Sequence, residues 1–181
     1  MIPSVPPVAR RVVLPFVIPA LAALLTTSAA AQATRPATAF SAKATFTEVV
    51  IPAAPGGPCF LVGQLAGSGT ATQLGRITAA SQDCINPRGD PAAGAFSFHN
   101  NYAPTGLVFV GESSDQLFAR YSGTLTPRSN APHRISGLFV ITGGTGRYTG
   151  ATGGGIVDGT EDISQPGIGQ GQVTLTGVLS Y

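Results

Sequence analysis

The carboxylates are the side chains best suited to chemistry in this sequence, and one of them has a distinctive position. Glu48 lies near the end of a segment in which Phe40 and Phe46 alternate with polar residues. Glu48 lies an even number of residues from both phenylalanines, so in a strand its carboxyl would point inward with their rings. Burial would raise the pKa of such a group and make it a candidate acid, base or ligand contact. Fraying of the strand end is the alternative. Six of the eight carboxylates sit in or beside predicted turns, where we expect solvation.

A second candidate is the adjacent pair Arg120 and Tyr121, in a predicted strand at residues 116–126. Neighbouring residues of a strand face opposite sides, so one of the two points inward. A cationic or aromatic group inside an apolar pocket would orient a ligand. We favour Tyr121 inside and Arg120 in solvent. The candidate ligand-binding residues are therefore Glu48, Arg120 and Tyr121.

Other common catalytic arrangements are not indicated. His99 and His133 are far apart in the sequence, each beside turn residues, and no Cys/His/Asp spacing around them resembles a metal site. Ser68 is flanked by Gly67 and Gly69 but lacks the outer glycines of a hydrolase elbow and the helix that follows one. We expect no metal and no cofactor.

Cys59 and Cys84 are the only cysteines. An even pair predicts a disulfide if the chain enters an oxidising compartment. A redox-active pair is the rival interpretation, and the separation of the two residues is unlike Cys-x-x-Cys.

The densest glycine run is Ile141-Thr-Gly-Gly-Thr-Gly-Arg-Tyr-Thr-Gly-Ala-Thr-Gly-Gly-Gly155. Its spacing fits neither the dinucleotide fingerprint nor the P-loop, whose lysine is missing, and no helix-forming segment follows it to bind an anion. Apolar segments flank the run, which predicts a hairpin with kinks or bulges. The structural glycines of this hairpin are Gly143, Gly144, Gly146, Gly150 and Gly153.

A family resemblance rests on these residues. The run from Gly143 to Gly153 resembles the glycine-rich hairpin of the allene oxide cyclase and dirigent β-barrels and of small exported bacterial proteins related to them. Residues 69–78, 115–117 and 121–123 resemble further segments of those bacterial proteins, over a span from Phe40 to Tyr181. The resemblance implies a calycin-like barrel. Its motifs match no acidic catalytic residue of the family.

Short apolar segments recur along the chain with turn signals between them. They lie at residues 38–51, 59–66, 70–81, 94–98, 106–111, 116–126, 134–142, 151–158 and 170–180. Residues 67–69 read as a turn, and no amphipathic helix is indicated. The pattern predicts an all-β fold, a single closed antiparallel β-barrel of about eight strands.

Residues 107–110 and 138–141 are apolar on both faces. A solvated outer surface tolerates this poorly, so a loop or another subunit should cover them. Barrels of the resembling families form dimers or trimers. We therefore expect a homo-oligomer, either a dimer or a trimer.

Residues 1–33 have the pattern of a signal peptide that is removed, leaving a β-barrel domain at residues 34–181. Arg10 and Arg11 form a basic region, residues 12–25 an apolar region, and residues 28–33 a small-residue cleavage site. The apolar run is shorter than the roughly 20 residues of a spanning helix, so no transmembrane helix is expected. The predicted location is periplasmic or extracellular. Twin-arginine export is a looser alternative to a plain basic region.

Charge gives little sign of a macromolecular partner. The chain has ten Lys and Arg against eight Asp and Glu, and removal of Arg10 and Arg11 leaves eight of each. The remaining arginines are scattered singly, so a nucleic-acid interface is not expected.

The function expected from these features is a small exported barrel of the envelope or extracellular space, with a non-catalytic role in apolar-ligand binding or structure. Such an interior takes packed side chains or one small ligand. The resemblance supplies the alternative of an isomerase, a cyclase or a dirigent-type protein that guides stereochemistry on an apolar substrate. A second alternative is a small outer-membrane barrel, because residues 173–181 alternate and end in an aromatic. The absence of Trp and the small number of Tyr argue against it.

Overall fold

The computed structural model describes residues 36–100 and 106–181. The predicted signal peptide lies outside these residues. The described part of the chain forms nine strands and two short 3-10 turns, Pro91–Ala93 and Gly146–Tyr148, without an α-helix. The strands are β1 (Thr38–Pro52), β2 (Leu61–Ala71), β3 (Gly75–Pro87), β4 (Phe96–His99), β5 (Leu107–Gly111), β6 (Gln116–Arg128), β7 (Ala131–Gly144), β8 (Thr152–Gln165) and β9 (Ile168–Ser180). Nowhere in these residues is there a helix with the length and apolarity needed to span a membrane.

The strands pair antiparallel and close on themselves. β1 pairs with both β2 and β9, and β2 pairs with β3. The strands from β6 to β9 pair in sequence order. The short strands β4 and β5 both lie between β3 and β6, so they share one position of the wall. The predicted closed antiparallel barrel is thereby confirmed, with eight strand positions and one of them divided.

The barrel interior follows from alternation along the strands. In β1, Phe40, Ala42 and Phe46 are buried while Lys43 and Thr45 are exposed. The ring of Phe40 packs on that of Phe139 from β7 at 5.8 Å between centroids. Since the same parity holds on neighbouring strands, one continuous apolar core fills the middle of the barrel.

The glycine-rich run joins β7 to β8 and covers one end of the barrel. Tyr148, in the 3-10 turn, is fully buried, and its hydroxyl donates a 2.7 Å hydrogen bond to the carbonyl of Gln73. Thr142 is unpaired between the pairs that join β7 to β6, and Gly143 beside it has φ +147°. This is a β-bulge in a conformation that favours glycine. The run therefore shapes and closes the barrel end.

The predicted turn at residues 67–69 is wrong, because β2 continues through them to Ala71. A β-carbon on Gly67 would lie 2.6 Å from the carbonyl oxygen of Thr45 on β1. The glycine therefore permits close approach of two strands and does not mark a reversal. The turn follows β2, where Gln73 has φ +66°.

Cys59 and Cys84 form a disulfide, with 5.2 Å between their Cα atoms. It ties the segment before β2 to β3. Both cysteines are buried in a small cluster with Val62, separate from the main core. The predicted pairing is confirmed.

The outer face of β7, β8 and β9 carries aliphatic side chains. Leu138 is 62% exposed, and Val140, Ile156 and Val178 are about half exposed. Leu138 pairs in register with Ile156, and Gly154 lies between Val140 and Val178. The cover predicted for residues 138–141 is not provided by the described residues.

Candidate functional site

A cavity of about 250 Å³ lies inside the barrel. It reaches from the middle of the core to the turn between β8 and β9, away from the end that Tyr148 covers. Its walls are mainly apolar, with aromatic rings from β1, β4 and β5 and aliphatic side chains from β2 and β9. Five polar side chains also line it: Glu48, Asp83, Tyr121 and Glu161 in the interior, and the exposed Gln165 at the end of β8.

Strand parity places Glu48 and Glu161 inside. Glu48 follows Phe46 by two residues on β1, and Glu161 follows the buried Val157 by four on β8. Each glutamate is only 6% exposed. Two carboxyls from different strands therefore enter one apolar cavity.

Gly169 of β9 lies between these two glutamates. It pairs directly with Glu48, and its neighbour on the same face, Gly171, pairs with Glu161. A β-carbon on Gly169 would overlap the Oε1 atom of Glu161, and one on Gly63 of β2 would overlap the Oε1 atom of Glu48. The carboxyls occupy space that these glycines leave empty.

Asp83 and Tyr121 meet on the opposite part of the wall. The Tyr121 hydroxyl donates a short hydrogen bond to Oδ1 of Asp83, and the hydroxyl of Ser81 donates to the same atom at 3.3 Å. Asp83 lies on β3 between the stretches that pair with β4 and β5. The pair therefore stands where the shared strand position is interrupted.

Asn100 supports Tyr121 at this interruption. Its Oδ1 accepts a 2.8 Å hydrogen bond from the backbone N–H of Tyr121, and its Nδ2 donates to the carbonyl of Ala119 at 3.2 Å. Asn100 is fully buried. It replaces part of the missing strand pairing and fixes the backbone that carries the tyrosine.

Burial shifts the proton affinities of the whole group. It raises the pKa of Glu48 to about 9, assisted by the negative charges of Glu161 and Asp83. Burial also raises the pKa of Glu161, although a hydrogen bond shared with the Glu48 carboxyl acts in the opposite direction. It raises the pKa of Asp83 to about 6, although the hydrogen bonds from Tyr121 and Ser81 act in the opposite direction. Burial and the charge of Asp83 raise the pKa of Tyr121.

The site can therefore both give and accept protons near neutral pH. Glu48 is protonated there and can donate, because its pKa is about 9. Asp83 is mostly ionised, because its pKa is about 6. Two carboxyls in one cavity whose environments separate their pKa values have the protonation states that a general acid and a general base require.

Two of the three residues singled out by the sequence line this cavity. Glu48 and Tyr121 do, and Arg120 does not. Adjacent residues of β6 face opposite sides, so the inward position of Tyr121 places Arg120 outside. Asp83, Glu161 and Asn100 were not identified from the sequence.

Neither histidine is among the residues that line the cavity, although His133 pairs in register with Glu161. His99 is on β4, whose Phe96 and Phe98 line the cavity, and His133 is near the start of β7. Within residues 36–100 and 106–181, no group of three or more His, Cys, Asp or Glu side chains has the arrangement needed to hold a metal ion.

No family model, no curated protein and no solved structure matches this chain. The interpretation of the site therefore depends on its own geometry.

Proposed function

We propose that this protein is an exported barrel that binds a small apolar ligand in its interior. The observation that carries the proposal is the cavity of about 250 Å³, with its apolar walls and a few convergent polar side chains. Ligand sites combine mostly apolar walls with a few polar groups that fix orientation. Tight packing is the norm in protein cores, so a cavity of this size is unusual for a purely structural barrel.

The distribution of polarity supports an internal ligand. The barrel interior is apolar around Glu48, Asp83 and Glu161, whereas outer-membrane barrels have polar interiors. Ligand binding is therefore favoured over the outer-membrane alternative.

A pair of matched variants tests the proposal. Ala79 is buried on β3 and lines the cavity, and Ala80 is exposed on the opposite face. Ala79→Leu should fill part of the cavity, and Ala80→Leu should not. The probe is the neutral fluorophore N-phenyl-1-naphthylamine, whose emission rises in apolar surroundings. We expect Ala79→Leu to weaken binding at least tenfold, a cost of about 1.4 kcal/mol, and Ala80→Leu to leave it unchanged. Equal binding by both variants would refute an interior site.

The acid and base pair supports a second candidate, isomerisation or cyclisation of an apolar substrate, including dirigent-type guidance. Ionised Asp83 would take a proton from carbon beside a carbonyl, and protonated Glu48 would donate a hydrogen bond to the carbonyl oxygen. The test is exchange of α-hydrogens for deuterium in an apolar ketone such as 2-octanone in D₂O. Exchange that is faster than in buffer and is lost in Asp83→Asn would support catalysis. Exchange at the buffer rate would refute catalysis and leave ligand binding as the remaining proposal.

We also propose a periplasmic or extracellular location. The disulfide supports it, because such bonds persist in oxidising compartments. Fractionation of expressing cells, with mass measurement of the N-terminus, tests the removal of residues 1–33. A cytoplasmic chain that retains Met1 would contradict it.

Self-association into a dimer or trimer is proposed for the outer face of β7, β8 and β9. Leu138 and Val140 are 62% and 56% exposed there. Light scattering should give a multiple of the chain mass, and Leu138→Ser with Val140→Ser should give the monomer. Val49→Ser, on the exposed face of β1, is the control. A monomeric wild type would refute the proposal.

A further inference from the structure

Three carboxyl groups line this cavity, and no lysine or arginine lines it with them. The arginine ion pairs of the described residues lie outside it: Arg76 with Glu112, Arg134 with Asp158, and Arg147 with Asp115. Ionised carboxylates away from water are costly unless a positive group accompanies them. The described residues of the cavity wall include no lysine or arginine to provide this positive group.

The carboxyl of Glu161 has one oxygen atom whose hydrogen bonding is incomplete. The side chain is 94% buried, being 6% exposed; its carboxyl shares a hydrogen bond with that of Glu48, and no other donor reaches its Oε1. This oxygen occupies the space left by the missing side chain of Gly169 and belongs to a residue that lines the cavity. Buried polar atoms are rarely left without a partner in folded proteins. Once the proton shared with Glu48 leaves, a donor from a bound molecule would take its place.

We propose that the ligand is an apolar molecule with one basic amine, and that its ammonium group binds among Glu48, Asp83 and Glu161. The inference rests on the proposed binding function and adds the chemical class of the ligand. The apolar part lies against the aromatic and aliphatic walls. The ammonium donates N–H hydrogen bonds to the three carboxyls, and its positive charge balances their negative charge.

Other head groups fit this wall less well. The ionised Asp83 would repel the negative charge of a carboxylate or phosphate. A hydroxyl could donate to Glu161 Oε1 but would bring no charge. A bare divalent cation would leave the apolar walls of the cavity unoccupied, and the described side chains offer it no suitable cluster.

Ammonium binding should release protons from the site. The titratable groups that face the cavity are Glu48 on β1, Asp83 on β3, Tyr121 on β6 and Glu161 on β8. His133 on β7 pairs in register with Glu161. A bound cation favours the ionised carboxylates, so protons leave as it enters. Affinity should increase as pH rises from about 6 toward 9, since a free alkylamine remains charged to about pH 10.

Titration calorimetry on the full mature chain tests the inference with four probes that share one tail: octylamine, octyltrimethylammonium, 1-octanol and octanoate. We expect octylamine to bind at least about tenfold more tightly than 1-octanol at pH 7, and octanoate to bind most weakly. Measurements in two buffers of different ionisation enthalpy should show proton release with octylamine and none with 1-octanol.

Glu161→Gln and Glu48→Gln should each weaken octylamine binding by more than 1-octanol binding, and so reduce the preference for octylamine. Glu112→Gln, which removes an exposed carboxyl outside the cavity, is the control. Should either cavity variant fail to fold, proton release in the wild type still decides the question.

The outcomes separate the two proposals. Equal binding of octylamine and 1-octanol would overturn the amine inference and leave the binding function intact. Binding of none of the probes, with no effect of Ala79→Leu on the fluorophore, would refute the binding function itself. Displacement of octylamine by calcium or zinc alone at micromolar concentration would replace the amine with a metal ion and overturn the inference.

Discussion

The hydroxyl of Tyr121 donates a hydrogen bond to Oδ1 of Asp83 across the interrupted strand position of the barrel. This contact joins β6 to β3 where neither pairs with β4 or β5. It also supplies a donor to a carboxylate that is 95% buried, being 5% exposed. This one hydrogen bond therefore connects two strands of the barrel wall and also favours the ionised form of Asp83.

Tyr121→Phe should raise the pKa of Asp83 above its value of about 6. The hydroxyl stabilises the ionised carboxylate, and hydrogen bonds to charged groups contribute enough to shift a pKa by about one unit. Carboxyl ¹³C chemical shifts followed against pH measure the change.

Tyr148→Phe is the matched control, since its hydroxyl bonds to Gln73 at the covered end of the barrel. It should leave the titration of Asp83 unchanged. An Asp83 pKa that stays the same in Tyr121→Phe would show that the hydrogen bond does not control its charge.

Alternation along the chain is sufficient to predict the barrel and part of its site. The predicted first strand, residues 38–51, nearly coincides with β1 at Thr38–Pro52. The parity of Phe40 and Phe46 therefore gives the orientation of Glu48 correctly. The same reasoning leaves only two options for Arg120 and Tyr121, and the preferred one agrees with the structure.

The remaining site residues depend on where strands end. The predicted strands stop at residues 81 and 158, whereas β3 continues to Pro87 and β8 to Gln165. Asp83 and Glu161 lie in those extensions. Polar residues and glycines there have low strand propensity, and pairing with neighbouring strands overrides it. Alternation was the available signal, because Asp83 lies an even number of residues after the buried Ile77, and Glu161 lies an even number after the buried Val157.

Asn100 had no such signal. Its side chain acts on Ala119 and Tyr121, which are about twenty residues further along the chain. Only the closed barrel brings these groups together, because the contact depends on the division of one wall position between β4 and β5.

The stability of the protein should decrease as pH rises. The pKa of Glu48 increases from 4.5 to about 9 on folding, so the folded state holds a proton that the unfolded state has lost. The free energy of unfolding therefore falls across this interval, by up to about 1.4 kcal/mol per pH unit for each such proton. Urea denaturation at pH 5, 7 and 9 measures the slope.

Glu48→Gln should flatten this pH dependence, because glutamine does not titrate. Glu112→Gln, at an exposed position, should not change it. A wild-type stability that rises between pH 5 and pH 9 would contradict burial of Glu48 as a neutral acid.

Loss of the disulfide should destabilise the fold without dismantling the cavity. Cys59 and Cys84 are 25 residues apart, and closing a loop of this length contributes roughly 3 kcal/mol. Cys59→Ala with Cys84→Ala should lower the free energy of unfolding by about that amount. Urea denaturation measures it, and reduction of the wild type should give a similar loss. Unchanged stability in both experiments would show that the bond does not contribute.

Gly169→Ala should disturb the two glutamates more than the backbone. The new methyl group would overlap the Oε1 atom of Glu161, while Gly169 itself is buried and pairs with Glu48. Because Glu161 lines the cavity, its carboxyl can shift toward open space, and the cost should lie at the low end for overpacking, about 1 kcal/mol. In a Glu161→Ala background the same substitution should cost much less, since the methyl group then has space. Urea denaturation of the four proteins in this double-mutant cycle gives the coupling between the two residues. A coupling near zero would mean that the missing side chain at residue 169 is not what accommodates the carboxyl of Glu161.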